Sequence, residues 1–144
     1  MQGLRAPWFI AALLAASCSS DYANLPPLLK GATAGGGNGD LCELASVPNA
    51  SGYATSPELG ARLSKQFPIG SPASHLQAEL ERQGFKLAPA PCGGNLSVKR
   101  ATGTFPDAIR LESFQYQMDA DVYWSADSTG RITWTAGHVS FMGL

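Results

Sequence analysis

Apolar and polar positions change rhythm along the chain. Between Ser56 and Phe85 the apolar residues recur every three or four positions, and from Arg110 onward they alternate. The first rhythm predicts helices and the second predicts strands. A first helix is expected to open at Ser56-Pro57-Glu58. Serine can cap, proline suits the first helical position, and the carboxylate faces the positive end of the helix dipole. Leu59, Leu63 and Phe67 then form one apolar stripe, and Pro68 ends it. A second helix is expected from Ser71 as cap and Pro72 as first residue. Ala73, Leu76 and Leu80 form its buried face, and Glu79, Glu81, Arg82 and Gln83 its polar side. Gly84 suits the left-handed position that ends a helix, with Phe85 folding back onto the last turn. The connection Pro68-Ile69-Gly70 is short, so the pair is expected as a tight αα-hairpin. Neither helix is long enough to stand alone in water, so both need a sheet.

That sheet is expected from residues 85–144. Phe85-Lys86-Leu87 reads as a short strand ended by Pro89. Leu96–Thr102 reads as an edge strand, because Lys99 and Arg100 discourage further pairing. Arg110–Met118 alternates as a single strand. Val122, Trp124 and Ala126 alternate against Asp121, Tyr123 and Ser125. Ile132, Trp134 and Ala136 do the same against Arg131, Thr133 and Thr135. Asp127-Ser128-Thr129-Gly130 between these runs predicts a type I hairpin turn with glycine at the positive-φ position. Pairing across it is expected to place Trp124 and Trp134 together over the helices. The fold class is therefore α+β, with an αα-hairpin on one face of a three- to four-stranded antiparallel sheet.

Upstream the rhythm disappears. Trp8–Ala16 is an apolar run following the basic residue Arg5. A membrane helix needs roughly 20 such residues, so the run reads as a signal peptide over residues 1–17. Leu14-Ala15-Ala16-Ser17-Cys18 resembles a bacterial lipobox, which makes Cys18 the expected lipidation site. Ser19 fits delivery to the outer membrane. Cleavage after Ala15-Ala16-Ser17 by an ordinary signal peptidase would instead release a soluble protein. Residues 18–40 read as a flexible linker, since Leu25-Pro26-Pro27-Leu28 opposes helix and Gly35-Gly36-Gly37-Asn38-Gly39 is highly flexible. The folded domain is then 41–144.

Cysteine usage agrees with export. Of three cysteines, Cys42 and Cys92 remain once Cys18 is lipidated or removed, and an oxidising compartment favours pairing them. A loop of about 50 residues closed this way is stabilised by roughly 4 kcal/mol in the chain-entropy account. No paired Cys or His spacing suggests a metal, and no cofactor motif occurs. Net charge is −1 and Lys99-Arg100 is the longest basic run. Nucleic-acid binding therefore has no electrostatic footprint.

Gly70-Ser71-Pro72 with Leu76 and Leu80, together with the segment from Trp124 to Ile132, resembles small outer-membrane lipoproteins of the BamE (SmpA/OmlA) type. The resemblance implies two helices on a three-stranded antiparallel sheet and a place in the bacterial cell envelope, facing the periplasm.

Candidate chemistry is sparse. The two histidines, His75 and His138, lie far apart in sequence, and no G-x-S-x-G or comparable motif supplies a nucleophile. Asp119, Asp121 and Asp127 lack calcium-loop spacing, and turn formation is expected to account for all three. The expectation is a non-catalytic module. Helices on one side of the sheet leave the other side open, and Tyr123 is expected there with Thr133 and Thr135 nearby. Tyr116 and Tyr123 are the aromatic candidates for contact with another envelope protein. The alternative is a soluble secreted or periplasmic binding or inhibitor protein of the same fold.

Overall fold

The computed structural model describes residues 24–34, 56–90, 97–111 and 114–143. Two helices, α1 (Pro57–Gln66) and α2 (Ala73–Arg82), precede four strands: β1 (Lys86–Ala88), β2 (Val98–Leu111), β3 (Phe114–Ala126) and β4 (Ile132–Gly143). The strands form one antiparallel sheet in the order β1-β2-β3-β4. The α+β architecture is as expected. Cys18, Cys42 and Cys92 lie outside the described residues, as does the expected signal segment over residues 1–17.

The helices form where the apolar stripe and the stop signals agree. Leu59 and Leu63 of α1 and Leu76 and Leu80 of α2 are fully buried. Ser56 sits at the N-cap, but its hydroxyl donates to Glu58 Oε2 at 3.2 Å instead of accepting a helix N–H. α2 starts one residue later than expected, with Pro72 at the cap position and bridged to Arg131. The Ser71 hydroxyl turns back to the Pro68 carbonyl, at 2.6 Å. At the far end Gly84 has φ +91, its N–H reaches the Glu81 carbonyl, and the Phe85 N–H reaches that of Leu80. This is the paired-bond helix stop anticipated for Gly84-Phe85. The connection between the helices is pinned to the sheet: the Gly70 N–H bonds the Ile132 carbonyl, and the Ile132 N–H bonds that of Ser71.

One side of the sheet carries the core. Ala101, Met118, Ala120, Val122, Trp124, Ile132 and Val139 join the helix leucines and Phe85 in a single buried cluster. Gly137 makes close approach possible. A Cβ there would stand 2.5 Å from the Leu59 side chain, inside any real contact distance. The indole N–H of Trp124 is buried with no acceptor among the described residues.

Asn24–Ala34 corrects the linker expected over 18–40. Leu25, Leu28, Leu29 and Ala32 belong to the same core cluster, and Leu28 and Leu29 are 0% exposed. Polar contacts hold this strap in place. The Leu28 N–H donates to Gln83 Oε1 at 3.0 Å, and Arg62 donates to the carbonyls of Leu28 and Lys30. Glu58 accepts both the Thr33 N–H at 3.1 Å and its hydroxyl at 2.8 Å. The prolines do exclude a helix here. Burial does not require one, because side chains and caps from α1 and α2 satisfy the irregular backbone.

Two strand expectations also change. Arg110–Met118 is not one strand: Leu111 pairs with Phe114, so the chain reverses there and β2 and β3 become a long hairpin. Arg100–Thr102 is not an edge, since it pairs with β1 on one side and β3 on the other.

Candidate functional site

The helices and strap cover one face of the sheet, and the opposite face is the candidate site. The register identifies its residues. Arg100, Tyr123 and Ala136 lie in one row across β2, β3 and β4. Thr102, Asp121 and His138 form the next row, and Thr104, Asp119 and Ser140 the one beyond. Tyr123 and Ala136 are buried, each 4% exposed, yet neither belongs to the main core cluster.

Arg100 packs against Tyr123. Its guanidinium lies over the Tyr123 ring, 5.8 Å from the centroid. Its Nε and Nη2 donate to Asp121 Oδ1 at 2.9 and 2.8 Å. The arrangement combines a cation–π contact with a cross-strand ion pair. Desolvation pushes the Tyr123 phenol above its ordinary pKa. The Asp121 carboxylate pushes it the same way, and Arg100 acts against both. In the neighbouring row Asp119 accepts the Thr104 hydroxyl at 2.8 Å and the Gln117 amide at 3.1 and 3.3 Å. Beyond these rows Ser125 and Thr133 share a hydroxyl bond at 2.7 Å. Half-buried Trp134 and Met142, 50% exposed, are the large apolar side chains of β4 on this side.

The four residues expected to mark the surface do not come together. Tyr123 and Thr133 lie on the open face. Thr135 pairs with Trp124, so it belongs to the helix-bearing side. Tyr116 shares that side by register with Met118, out between Ile109 and Gly143. Tyr116 and Tyr123 are seven residues apart on β3, so plain alternation puts them on opposite faces; for Thr135 the physical reason is a register shift between Ser125 and Ala126. An extra residue at a bulge inverts the in–out alternation of the strand that carries it. Ile132 therefore enters the core, whereas Trp134 and Ala136 face outward. The expected pairing of Trp124 with Trp134 over the helices is replaced by a Trp on each face. Arg100, Asp119 and Asp121 escaped sequence reasoning as site residues. Only the Asp119–Asp121 alternation hinted at a common face, and Arg100 finds its partner through register alone.

No reactive constellation emerges among the described residues. His75 is exposed on α2, on one side of the sheet, and His138 is on the other, opposite Asp121. No cluster of His, Cys, Asp or Glu among them could hold a metal. Asp127 is occupied by its turn: its Oδ1 accepts the Thr129 N–H at 2.8 Å, the Thr129 hydroxyl at 2.7 Å and the Arg131 N–H at 3.0 Å. Those bonds, Thr129's hydroxyl foremost, hold its carboxyl below the usual range. Gly130 takes φ +75, as the turn requires. Beside this turn and the N-terminus of α2 lies an open groove of about 490 Å³, lined by Pro72, Gln77, Lys99, Asp127 and Thr129 among others. It converges on no buried polar group. Among the described residues no helix is long and apolar enough to cross a membrane. Set against protein families, curated proteins and solved structures, the chain matches none.

Proposed function

We propose that this is an exported bacterial envelope lipoprotein, anchored through Cys18, that serves as a non-catalytic protein-binding or structural module. The observation that carries the binding role is the division of the sheet. One face is consumed by the core, and the other carries Met142, half-buried Trp134 and the partly exposed Arg100–Asp121 ion pair beside the buried Tyr123 ring. Aromatic and arginine side chains are the usual anchors of protein interfaces. Ion-paired carboxylates around them favour a partner of matched polarity and suppress others. The partner class is another envelope protein, in the periplasm and next to the outer membrane.

The lipobox-like Leu14–Cys18 supports the anchor. Ala15-Ala16-Ser17 also fits ordinary cleavage, which would make the same fold a soluble binding or inhibitor protein. Labelled fatty acid separates the two: it should enter the wild-type chain and not Cys18→Ala, and absence from both would remove the lipoprotein reading. For the binding role, affinity capture from solubilised envelopes should yield a partner with wild type that is lost with Arg100→Ala/Trp134→Ala. Retention by Ser74→Ala, on the helix side, completes the test. A partner held equally by all three chains would refute binding through this face. Thiol titration of the unfolded, unreduced mature protein should find Cys42 and Cys92 both blocked.

A further inference from the structure

Three side chains of the helix pair converge on the main chain of the strap. Both main-chain groups of Leu28 are taken: Gln83 Oε1 accepts its N–H at 3.0 Å, and the Arg62 guanidinium donates to its carbonyl at 2.7 Å. The same guanidinium reaches the Lys30 carbonyl, and Glu58 accepts the Thr33 N–H and hydroxyl. Glu58 and Arg62 are neighbours on one face of α1, so the strap runs antiparallel to that helix. Gln83 is itself 8% exposed, and its amide donates to Glu79.

The strap also carries its own structure. The Leu29 N–H bonds the Pro26 carbonyl at 2.8 Å, and the Ala32 N–H bonds that of Leu29 at 3.0 Å, which closes two successive turns. Gly31 in the second turn has φ +66, a conformation that glycine adopts at no steric cost. A segment that shapes itself in this way loses less freedom on docking. Leu28 and Leu29 then supply the buried apolar contact. Captured main-chain groups with apolar side chains sunk beside them are the usual terms of peptide recognition. The capturing groups lie 25 to 55 residues away in sequence, so docking of the strap is a binding event made intramolecular by its tether.

We propose that the helix pair forms a peptide-binding site and that the strap is its tethered ligand. The ligand class is a short turn segment with two adjacent leucines, closed by a glycine at positive φ. A partner segment of that chemistry competes with the strap for the same place. The site lies on the helix side, so it is independent of what the open face binds.

Titration of the full wild-type chain with the free peptide Asn24–Ala34 tests this. A tethered ligand and an identical free one compete equally when the free concentration matches the effective concentration of the tether, about millimolar. In amide NMR of the labelled chain, the Leu28 and Thr33 signals should be half displaced from their docked positions near that concentration, with the rest of the spectrum folded. A peptide with both leucines replaced by alanine should be at least about tenfold less effective. A Gly31→Val peptide should be weakened in the same direction. The Leu28→Ala/Leu29→Ala chain loosens the resident strap, so it should bind the free peptide at least about tenfold more tightly than wild type does. Where that variant does not fold, the wild-type titration decides alone. Docked signals unmoved at about 10 mM peptide, with no binding to a folded double variant, would overturn the inference. So would displacement that the alanine peptide matches.

Discussion

The two faces of the sheet solve opposite problems with the same strands. The helix-bearing face is apolar and tightly filled. It admits α1 only because Gly137 has no side chain where Leu59 must lie. On the open face Arg100 lies over the buried Tyr123 ring and is held there by Asp121. The contacts of the first face are apolar and set by shape, and those of the second join a polar group to an aromatic ring. The first is expected to dominate stability and the second to be free for recognition.

The largest effect is expected from the strap. Leu28→Ala should destabilise the fold by about 2–5 kcal/mol, as for any fully buried leucine whose cavity does not collapse. Chemical denaturation checks this, and a loss below about 1 kcal/mol would return Asn24–Ala34 to the status of a peripheral tail. Next is Gly137→Val. Forcing atoms into the space of Leu59 should cost roughly 1–3 kcal/mol, seen as a lower denaturation midpoint with an unchanged slope. On the open face, Arg100→Met should cost less than about 1 kcal/mol, because the ion pair is partly exposed to solvent. It should nonetheless abolish partner capture, and a large stability loss would mean that this face also belongs to the core.

The smallest effect is a pH dependence. Hydrogen bonds from Thr33, backbone first and then hydroxyl, lower the Glu58 pKa from 4.5 to about 2. A carboxylate depressed in the folded state stabilises above its unfolded pKa and stops doing so as pH falls through the folded one. The strap's hold on α1 should therefore loosen between about pH 4.5 and pH 2. Hydrogen exchange at the Thr33 amide measures it, and Glu58→Gln should remove the pH dependence.

Local chemistry was readable in the sequence only in part, since neither Ser56 nor Ser71 caps its helix as expected. The leucine stripes, the Gly84 stop and the Asp127–Gly130 turn all depend on contacts a few residues away, and each forms as expected. What depended on pairing was not readable. The bulge after Ser125 moves Thr135 to the helix side and Trp134 to the open side, and alternation within β4 carries no trace of it. Arg100 resembled an edge guard until the register placed Asp121 and Tyr123 beside it. Leu25-Pro26-Pro27-Leu28 resembled a spacer because proline rules out a helix. Its leucines instead fill a gap whose walls are Gln83 and Arg62, far along the chain.

The strap has a mechanical consequence. With Cys18 as the anchor, the chain is fixed to the folded body from Asn24 onward. The few residues between can span no more than about 20 Å even when fully extended. The domain would therefore ride close to the lipid head groups, and any pull on the anchor would load the Leu25 side chain first, then Leu28 and Leu29.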